Sequence, residues 1–254
     1  MIQPRALLLL ALSLSATAHA DDILTIAVAS NFRSTVEKVA DAFTIEAGIP
    51  VRLSSGSTGK LYAQITNGAP YDIFLAADME RPRLLVASGD AIKRSLVSYA
   101  DGKLVLISTD PSLAGQNCSA ALQAGSYRKL AIANPATAPY GAAAKAYLQK
   151  AGLWDDAVTR IIMGENISQT FQFVATGNAT LGIVAESLLV DDRASVDIVC
   201  RWAISVEESR VVHQGGVILS RVDNLDVAQQ FMTFLTSESA RALILSSGYE
   251  VPVR

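Results

Sequence analysis

Four polar segments of this chain have residue types that could bind a small anion. They are Ser30-Asn31, Gly56-Ser57-Thr58-Gly59-Lys60, Pro139-Tyr140-Gly141 and Asn166-Ile167-Ser168-Gln169. Each follows a short apolar run and precedes a helical pattern, so its hydroxyl and backbone N–H groups would gather at a helix N-terminus. Because Ser and Asn are also ordinary helix caps, one such junction alone has no functional meaning. Four junctions, two in each half of the chain, predict donors that converge on one small anion.

The second of these segments resembles a phosphate-binding loop but departs from it at two positions. Such a loop requires a glycine where this chain has Ser54, and a serine or threonine after Lys60, where it has Leu61. The sequence therefore does not predict a nucleotide site. A hydroxyl-rich turn that caps a helix remains the alternative for this segment taken alone.

Acidic residues provide the best case for an enzyme. Asp72, Asp78 and Glu80 follow a predicted strand, and Glu165 precedes another junction. Acidic residues at strand ends usually cap helices, form turns or pair with cations, and the chain has no Gly-x-Ser-x-Gly nucleophile motif. We expect a binding protein without catalysis, and a secreted hydrolase that uses these acids remains the alternative.

The elements that must position these residues alternate between strands and helices. Short apolar runs predict strands, and apolar residues three and four apart predict helices. This alternation favours an α/β fold in two units, each with a sheet flanked by helices, joined by extended crossings and separated by a cleft. The predicted strands are 24–29, 51–53, 73–76, 104–107, 130–133, 161–163, 181–184 and 217–219. The main predicted helices are 36–43, 61–66, 83–87, 142–151, 227–235 and 240–245.

Composition excludes several classes of protein. The 254 residues include 21 Lys and Arg against 24 Asp and Glu, so the broad basic surface that nucleic-acid binding needs is not expected. Only two histidines and two cysteines are present. A cation site built from several histidines or cysteines is therefore not predicted.

The first twenty residues have the pattern of a secretory signal peptide. Arg5 precedes an apolar run over 6–14, and Ala18-His19-Ala20 provides a cleavage site before Asp21. The run is too short to span a membrane, so we expect export rather than anchoring. An oxidising compartment would allow Cys118 and Cys200 to form a disulfide, and two buried thiols are the alternative.

With these junctions in place, the chain resembles the periplasmic molybdate-binding proteins of ABC transporters, within the group of two-lobed solute-binding proteins. The matching segments occur in family order across nearly the whole mature chain. They are 27–32, 55–65, 67–78, 134–141 and 181–185.

The resemblance implies the periplasmic binding protein fold of type II, with residues 22–101 plus 213–254 in lobe one and 102–212 in lobe two. It implies a monomer in the periplasm that needs no cofactor and delivers molybdate or tungstate to a membrane permease. One branch of the family has a tyrosine ligand where this chain has Ala185, so the other branch is indicated. The implied oxyanion ligands are Ser30, Asn31, Ser57, Thr58, Tyr140 and Ile167, through side chain or backbone.

The chemistry of the four junctions is consistent with that ligand. A tetrahedral dianion without a proton needs only donors, and a carboxylate would repel it. Phosphate keeps a proton at pH 7 and favours a site with an acceptor, and none of the implied positions is an Asp or Glu that would supply a carboxylate. Sulfate or another oxyanion remains an alternative, and the sequence does not separate molybdate from tungstate.

Overall fold

The computed structural model describes residues 23–190, 196–205, 207–209 and 211–252. The predicted signal peptide over 1–20 and its cleavage site before Asp21 lie outside the described residues. The strands are β1 Leu24–Ala29, β2 Val51–Gly56, β3 Ile73–Ala76, β4 Val97–Gly102, β5 Leu104–Ser108, β6 Leu130–Ala133, β7 Ile161–Gly164, β8 Leu181–Ala185, β9 Cys200–Ala203 and β10 Val212–Ile218. The helices are α1 Arg33–Ala47, α2 Thr58–Thr66, α3 Glu80–Ser88, α4 Cys118–Gln123, α5 Pro139–Lys150, α6 Trp154–Ala157, α7 Ile167–Ala175, α8 Leu225–Leu235 and α9 Glu238–Ser246.

The strands form two five-stranded sheets. The first sheet has the order β2-β1-β3-β10-β4, and the second has the order β7-β6-β8-β5-β9. In the first, β1 runs parallel to β2 and β3, and in the second, β6 runs parallel to β7 and β8. Strands β10 and β5 run antiparallel to their neighbours. The two-lobed α/β fold expected from the sequence is confirmed.

Apolar side chains determine which strands are central. All residues of β3 and β6 are buried, because helices cover both faces of these parallel strands. In α1, Val36, Val39 and Phe43 recur at helical spacing and are buried in the core of the first sheet. Gly48 ends that helix with a φ of 72°, a conformation that glycine adopts without steric cost.

Two strands were missed by the sequence prediction, and a third is longer than predicted. Strand β4 has no continuous apolar run, and β9 is a four-residue edge strand in which only Cys200 is buried. Strand β10 begins at Val212, five residues before the predicted start at Val217. These strands form beside partners that are distant in sequence, so local patterning does not reveal them.

The chain crosses between the two sheets at Lys103, and it returns between β9 and β10. The sheets face each other across a closed cleft. The Gly59 N–H donates to the Thr137 carbonyl at 2.8 Å, and the Ser168 hydroxyl donates to the Ser30 carbonyl at 3.1 Å. The strand-to-helix junctions of the two sheets therefore lie opposite each other.

Cys118 and Cys200 form a disulfide that joins the start of α4 to β9. Their separation of 82 residues means that the bond would stabilise the fold by about 4 kcal/mol in the chain-entropy description. Among the described helices, none is both long enough and apolar enough to span a membrane.

Candidate functional site

A small cavity lies in the cleft where the two sheets meet. The centre of a water-sized sphere can occupy only about 10 Å³ of it, well below the roughly 300–1,000 Å³ of sites for organic ligands. All six sequence-predicted ligand residues line it. The lining residues are Ala29, Ser30, Asn31, Gly56, Ser57, Thr58, Ala77, Ala138, Pro139, Tyr140, Asn166 and Ile167.

Four helical segments begin at this cavity. Ser30 begins a 3-10 turn that leads into α1, and α2, α5 and α7 begin at Thr58, Pro139 and Ile167. The first N–H groups of a helix have no acceptor within it, and the helix dipole favours negative charge at this end. The cavity is therefore surrounded by N–H donors that can bind an anion.

Ser57 provides the most informative side chain. It occupies the N-cap position of α2 and is only 2% exposed. Its hydroxyl has no hydrogen-bond partner and makes no capping bond among the residues that the structure describes. A buried hydroxyl without a partner costs free energy unless a ligand satisfies it. The Ser57 hydroxyl is therefore available to a molecule in the cavity.

Ser30 and Thr58 also have hydroxyl groups at the cavity. Ser30 is the first residue of its turn, whose N-cap residue is Ala29, and it is 8% exposed. The Thr58 hydroxyl oxygen accepts a bond from the Ala77 N–H at 3.1 Å. That bond uses a lone pair and leaves the hydroxyl hydrogen of Thr58 able to donate.

The side-chain amide of Asn31 is engaged within the protein. Its nitrogen donates to the Gln214 side-chain oxygen at 2.9 Å and to the Tyr249 hydroxyl at 3.0 Å. These two bonds use both amide hydrogens. Asn31 therefore offers the cavity its backbone N–H group.

The phenol of Tyr140 extends to the crossing between the lobes. A Cβ on Gly102 would lie 1.9 Å from the Tyr140 hydroxyl oxygen, which shows how closely the phenol packs on that backbone. Burial raises the pKa of Tyr140 well above 10, with Tyr249 and Tyr99 contributing further. Its hydroxyl therefore stays protonated at neutral pH. The backbone N–H of Tyr140 lies in the first turn of α5.

Ile167 contributes a backbone group, since its side chain is apolar and buried. It is the first residue of α7, and Asn166 caps that helix by accepting from the Gln169 N–H at 3.0 Å. Ala185 is not among the lining residues in the described part of the chain. This agrees with the expectation that Ala185 is not a ligand.

The acidic residues near β3 have structural partners. Asp72 accepts from the Thr25 N–H at 2.7 Å and so links β3 to β1. Asp78 accepts from the Arg81 N–H at 2.9 Å and forms an ion pair with the Arg81 guanidinium. Glu80 is exposed in the first turn of α3. These contacts favour the structural interpretation of the three acids over a catalytic one.

Glu165 and His213 also lie outside the cavity lining. Glu165 pairs with Lys60 across the cleft at 2.7 Å, and both side chains are half exposed. His213 lies on β10 with its Nδ1 atom 2.7 Å from Asp101, and its side chain is 62% exposed. Within the described ranges, no group of three His, Cys, Asp or Glu side chains is placed to hold a cation.

The charge of the lining determines what the cavity can bind. Its side chains are apolar, hydroxyl or amide groups, and none of the described lining residues is acidic. Hydroxyl groups and helix N-termini can donate all the hydrogen bonds that an unprotonated anion accepts. Because the described lining has no carboxylate, such an anion meets no negative side chain there, and a protonated anion finds no carboxylate to accept its proton. The arrangement suits a compact anion that carries no proton.

Sequence reasoning missed the residues behind the cavity. Gln214 is fully buried and contacts Asn31, Tyr99 and Tyr140, and Tyr249 donates to the Asn31 carbonyl at 2.7 Å. The signal that could have revealed Gln214 was a polar residue within a strand that extends beyond the predicted range 217–219. The pair Gly215-Gly216 obscured it, because two glycines indicate a turn.

Comparison with known proteins gives a consistent set of relatives. Residues 24–250 match the family of bacterial extracellular solute-binding proteins. Molybdate-binding protein ModA of Azotobacter vinelandii is 38% identical over 224 residues, which are 88% of either chain. ModA of Rhodobacter capsulatus is 34% identical over 242 residues, which are 95% of this chain and 93% of that protein. The solved periplasmic molybdate-binding protein of A. vinelandii matches with a TM-score of 0.85 at 36% identity, covering 91% of this chain and 100% of the other.

Proposed function

This chain belongs to the family of bacterial extracellular solute-binding proteins, and we propose that it captures molybdate and delivers it to an ABC permease. The two molybdate-binding relatives cover most of its length at more than 30% identity. It is a binding protein rather than an enzyme, and molybdate is its cargo rather than a cofactor.

One observation at the site carries this proposal furthest. Ser57 has a buried hydroxyl without a described partner, at the N-terminus of a helix and in a cavity where three further helical segments begin. A plain helix cap would use that hydroxyl for a backbone N–H, as Ser237 does at α9. The spare donor supports a site that is completed by an anion.

We assign a role to each predicted ligand residue on this basis. Ser30, Ser57 and Thr58 donate from their hydroxyl groups. Asn31, Tyr140 and Ile167 donate from backbone N–H groups, because the side chains of the first two are directed elsewhere and that of the third is apolar.

The same donor set supports tungstate as a second ligand, because it is a tetrahedral dianion of similar size. Phosphate retains a proton at pH 7, and the described lining has no carboxylate to accept it. Sulfate has the right charge but is smaller, so it would leave some donors unpaired, at about 1–3 kcal/mol for each buried group. We therefore propose a preference for molybdate and tungstate over both.

The cellular setting follows from the family and from the sequence. Relatives of this type are periplasmic, and we propose that residues 1–20 are the export signal. We also propose lobes formed by residues 22–101 plus 213–254 and by 102–212, which interact with the permease as a monomer. The two sheets support this division, since β5–β9 form one sheet and the remaining strands form the other.

Replacing Ser30 by alanine tests whether its hydroxyl binds the anion. Ser30→Ala should weaken molybdate binding by about tenfold to more than a hundredfold, because a closed site would lose one donor to a charged acceptor. The melting temperature without ligand should hardly change, since the N-cap position of this turn is Ala29 and not Ser30. Calorimetric titration and thermal melting on the same variant measure both quantities.

Ser237→Ala is the matched control. Ser237 caps α9 by accepting from the Ala240 N–H at 3.3 Å, so its loss should lower the melting temperature and leave affinity unchanged. Unchanged molybdate affinity in Ser30→Ala, together with a lower melting temperature, would remove Ser30 from the site.

A further inference from the structure

Gln214 is a fully buried amide on a strand that connects the two lobes. It lies on β10, where the chain re-enters the first sheet, and β10 pairs there with β4. The pairing is irregular at this point, since Gln214 faces Ala100 and Gly215 faces Ser98. Such an irregularity changes the direction of nearby side chains and occurs often beside functional sites.

The Gln214 amide contacts residues of both lobes. Its oxygen accepts from the Asn31 side chain at 2.9 Å and from the Tyr99 hydroxyl at 3.1 Å. Its nitrogen lies 3.5 Å from the Tyr140 hydroxyl, a long hydrogen bond. Asn31 lies in the first helical segment of lobe one at the cavity, and Tyr140 belongs to α5 of lobe two. One side chain thus connects a candidate anion donor in each lobe.

The contact between the Gln214 amide and the Tyr140 hydroxyl requires the closed cleft seen here. The phenol reaches the crossing because Gly102 has no side chain, and a Cβ there would lie 1.9 Å from the Tyr140 hydroxyl oxygen and 3.1 Å from the Gln214 nitrogen. If lobe two rotated away, α5 would withdraw the phenol from this position. Gln214 would then keep Asn31 and Tyr99, which belong to its own lobe.

We propose that Gln214 is a positioning residue that couples the anion-binding helix N-termini of the two lobes. It holds the Asn31 side chain so that the backbone N–H of Asn31 faces the cavity, and it holds the Tyr140 phenol so that α5 is correctly placed. The inference rests on the proposed function, because it assumes that the cavity binds an anion.

The neighbouring phenols of this network remain protonated, so they can donate hydrogen bonds. Burial raises the pKa of Tyr99 well above 10, with smaller contributions from Tyr249 and Asp78. Burial likewise raises the pKa of Tyr249 to about 12, against hydrogen bonds that lower it. Since these phenols stay protonated through the physiological range, the connection does not depend on pH there.

Gln214→Leu removes the amide and keeps a side chain of similar size. We expect molybdate affinity to fall by about tenfold or more, because Asn31 and Tyr140 both lose their hydrogen bond to the amide that joins them. Tyr140→Phe should weaken binding by a smaller factor. If Gln214 acts through the Tyr140 hydroxyl, the double variant should bind no more weakly than Gln214→Leu alone.

Tyr99→Phe is the matched control, because it removes one donor from the same amide oxygen but lies within lobe one. It should lower the melting temperature without ligand and change affinity by less than about threefold. The wild-type protein is titrated with molybdate in parallel. Failure of the wild type to bind would contradict the proposed function itself.

Two results would overturn the inference while the function stands. One is wild-type molybdate affinity in a folded Gln214→Leu protein whose melting temperature alone is lower, which is the result of a purely structural role. The other is strict additivity of the losses in the double variant. If Gln214→Leu does not fold, unchanged affinity in Tyr140→Phe contradicts the coupling equally.

Discussion

Ser57→Asp should abolish molybdate binding while leaving the protein folded and at least as stable as the wild type. Aspartate is as good an N-cap residue as serine, and a negative charge is favourable at a helix N-terminus. The new carboxylate would occupy the cavity in place of the oxyanion, satisfy the surrounding N–H groups and repel the dianion. Like charges placed together cost several kcal/mol, so affinity should fall by about a thousandfold or more.

Melting curves with and without molybdate give the two readouts for this variant. The melting temperature without ligand should be unchanged or raised by up to about 3 °C, and the increase that molybdate causes in the wild type should be lost. Ser237→Asp makes the same substitution at the N-cap of α9, away from the cavity, and should bind normally. Molybdate affinity within tenfold of the wild type in Ser57→Asp would contradict the assigned site.

Gly59→Val should prevent the cleft from closing. A Cβ at Gly59 would lie 3.0 Å from both the Cα and the carbonyl oxygen of Thr137, so even a methyl group requires the Thr137 backbone to shift by a few tenths of an ångström. The two further methyl groups of valine would separate the lobes and break the 2.8 Å hydrogen bond from Gly59 to Thr137. We expect affinity to fall by about a hundredfold or more, because donors from both lobes could no longer reach one anion.

The fold itself should tolerate this change, since valine has a higher helix propensity than glycine. Small-angle X-ray scattering with excess molybdate should show an open form in Gly59→Val and a closed form in the wild type. Lys60→Ala is the control on the neighbouring residue. It removes an exposed ion pair with Glu165, worth at most about 1 kcal/mol, so affinity should change only severalfold. A closed Gly59→Val complex with wild-type affinity would refute the closure argument.

The sequence predicted the strand-to-helix junctions because local patterns determine them. The apolar run Leu24–Ala29 ends at Ser30, and the run Leu130–Ala133 ends shortly before α5, in the structure as in the prediction. A strand buried on both faces needs a continuous apolar run, and a helix that packs on it needs apolar residues three and four apart. Both requirements are visible in a single sequence.

Strands β4 and β10, which lie next to the crossings between the two lobes, could not be predicted in the same way. Strand β4 is stabilised by β10, and these strands are more than a hundred residues apart in sequence. Gly215 and Gly216 look like a turn, but they are strand residues without room for a side chain. A Cβ on Gly215 would lie 2.6 Å from the Met79 sulfur, and one on Gly216 would lie 2.9 Å from Leu75. This constraint exists only after the chain has folded.

The sequence predicted six candidate site residues, which line one cavity in the structure, but it left open which of their groups would face a ligand. Asn31 and Tyr140 have side chains that could donate to an anion, and residue type alone suggests that they do. Their buried contacts with Gln214, Tyr249 and Gly102 engage those side chains within the protein. By contrast, the free hydroxyl of Ser57 is a property of the folded protein, because serine at an N-cap normally bonds to its own helix.

Calorimetric titration of the purified protein with molybdate, tungstate, sulfate and phosphate at pH 7 is the most direct test of the central claim. We predict one molybdate or tungstate per chain, bound about a hundredfold or more tightly than sulfate, with phosphate weaker still. Binding of phosphate or sulfate as tight as that of molybdate, or no binding of molybdate, would contradict the account of a donor-only oxyanion site.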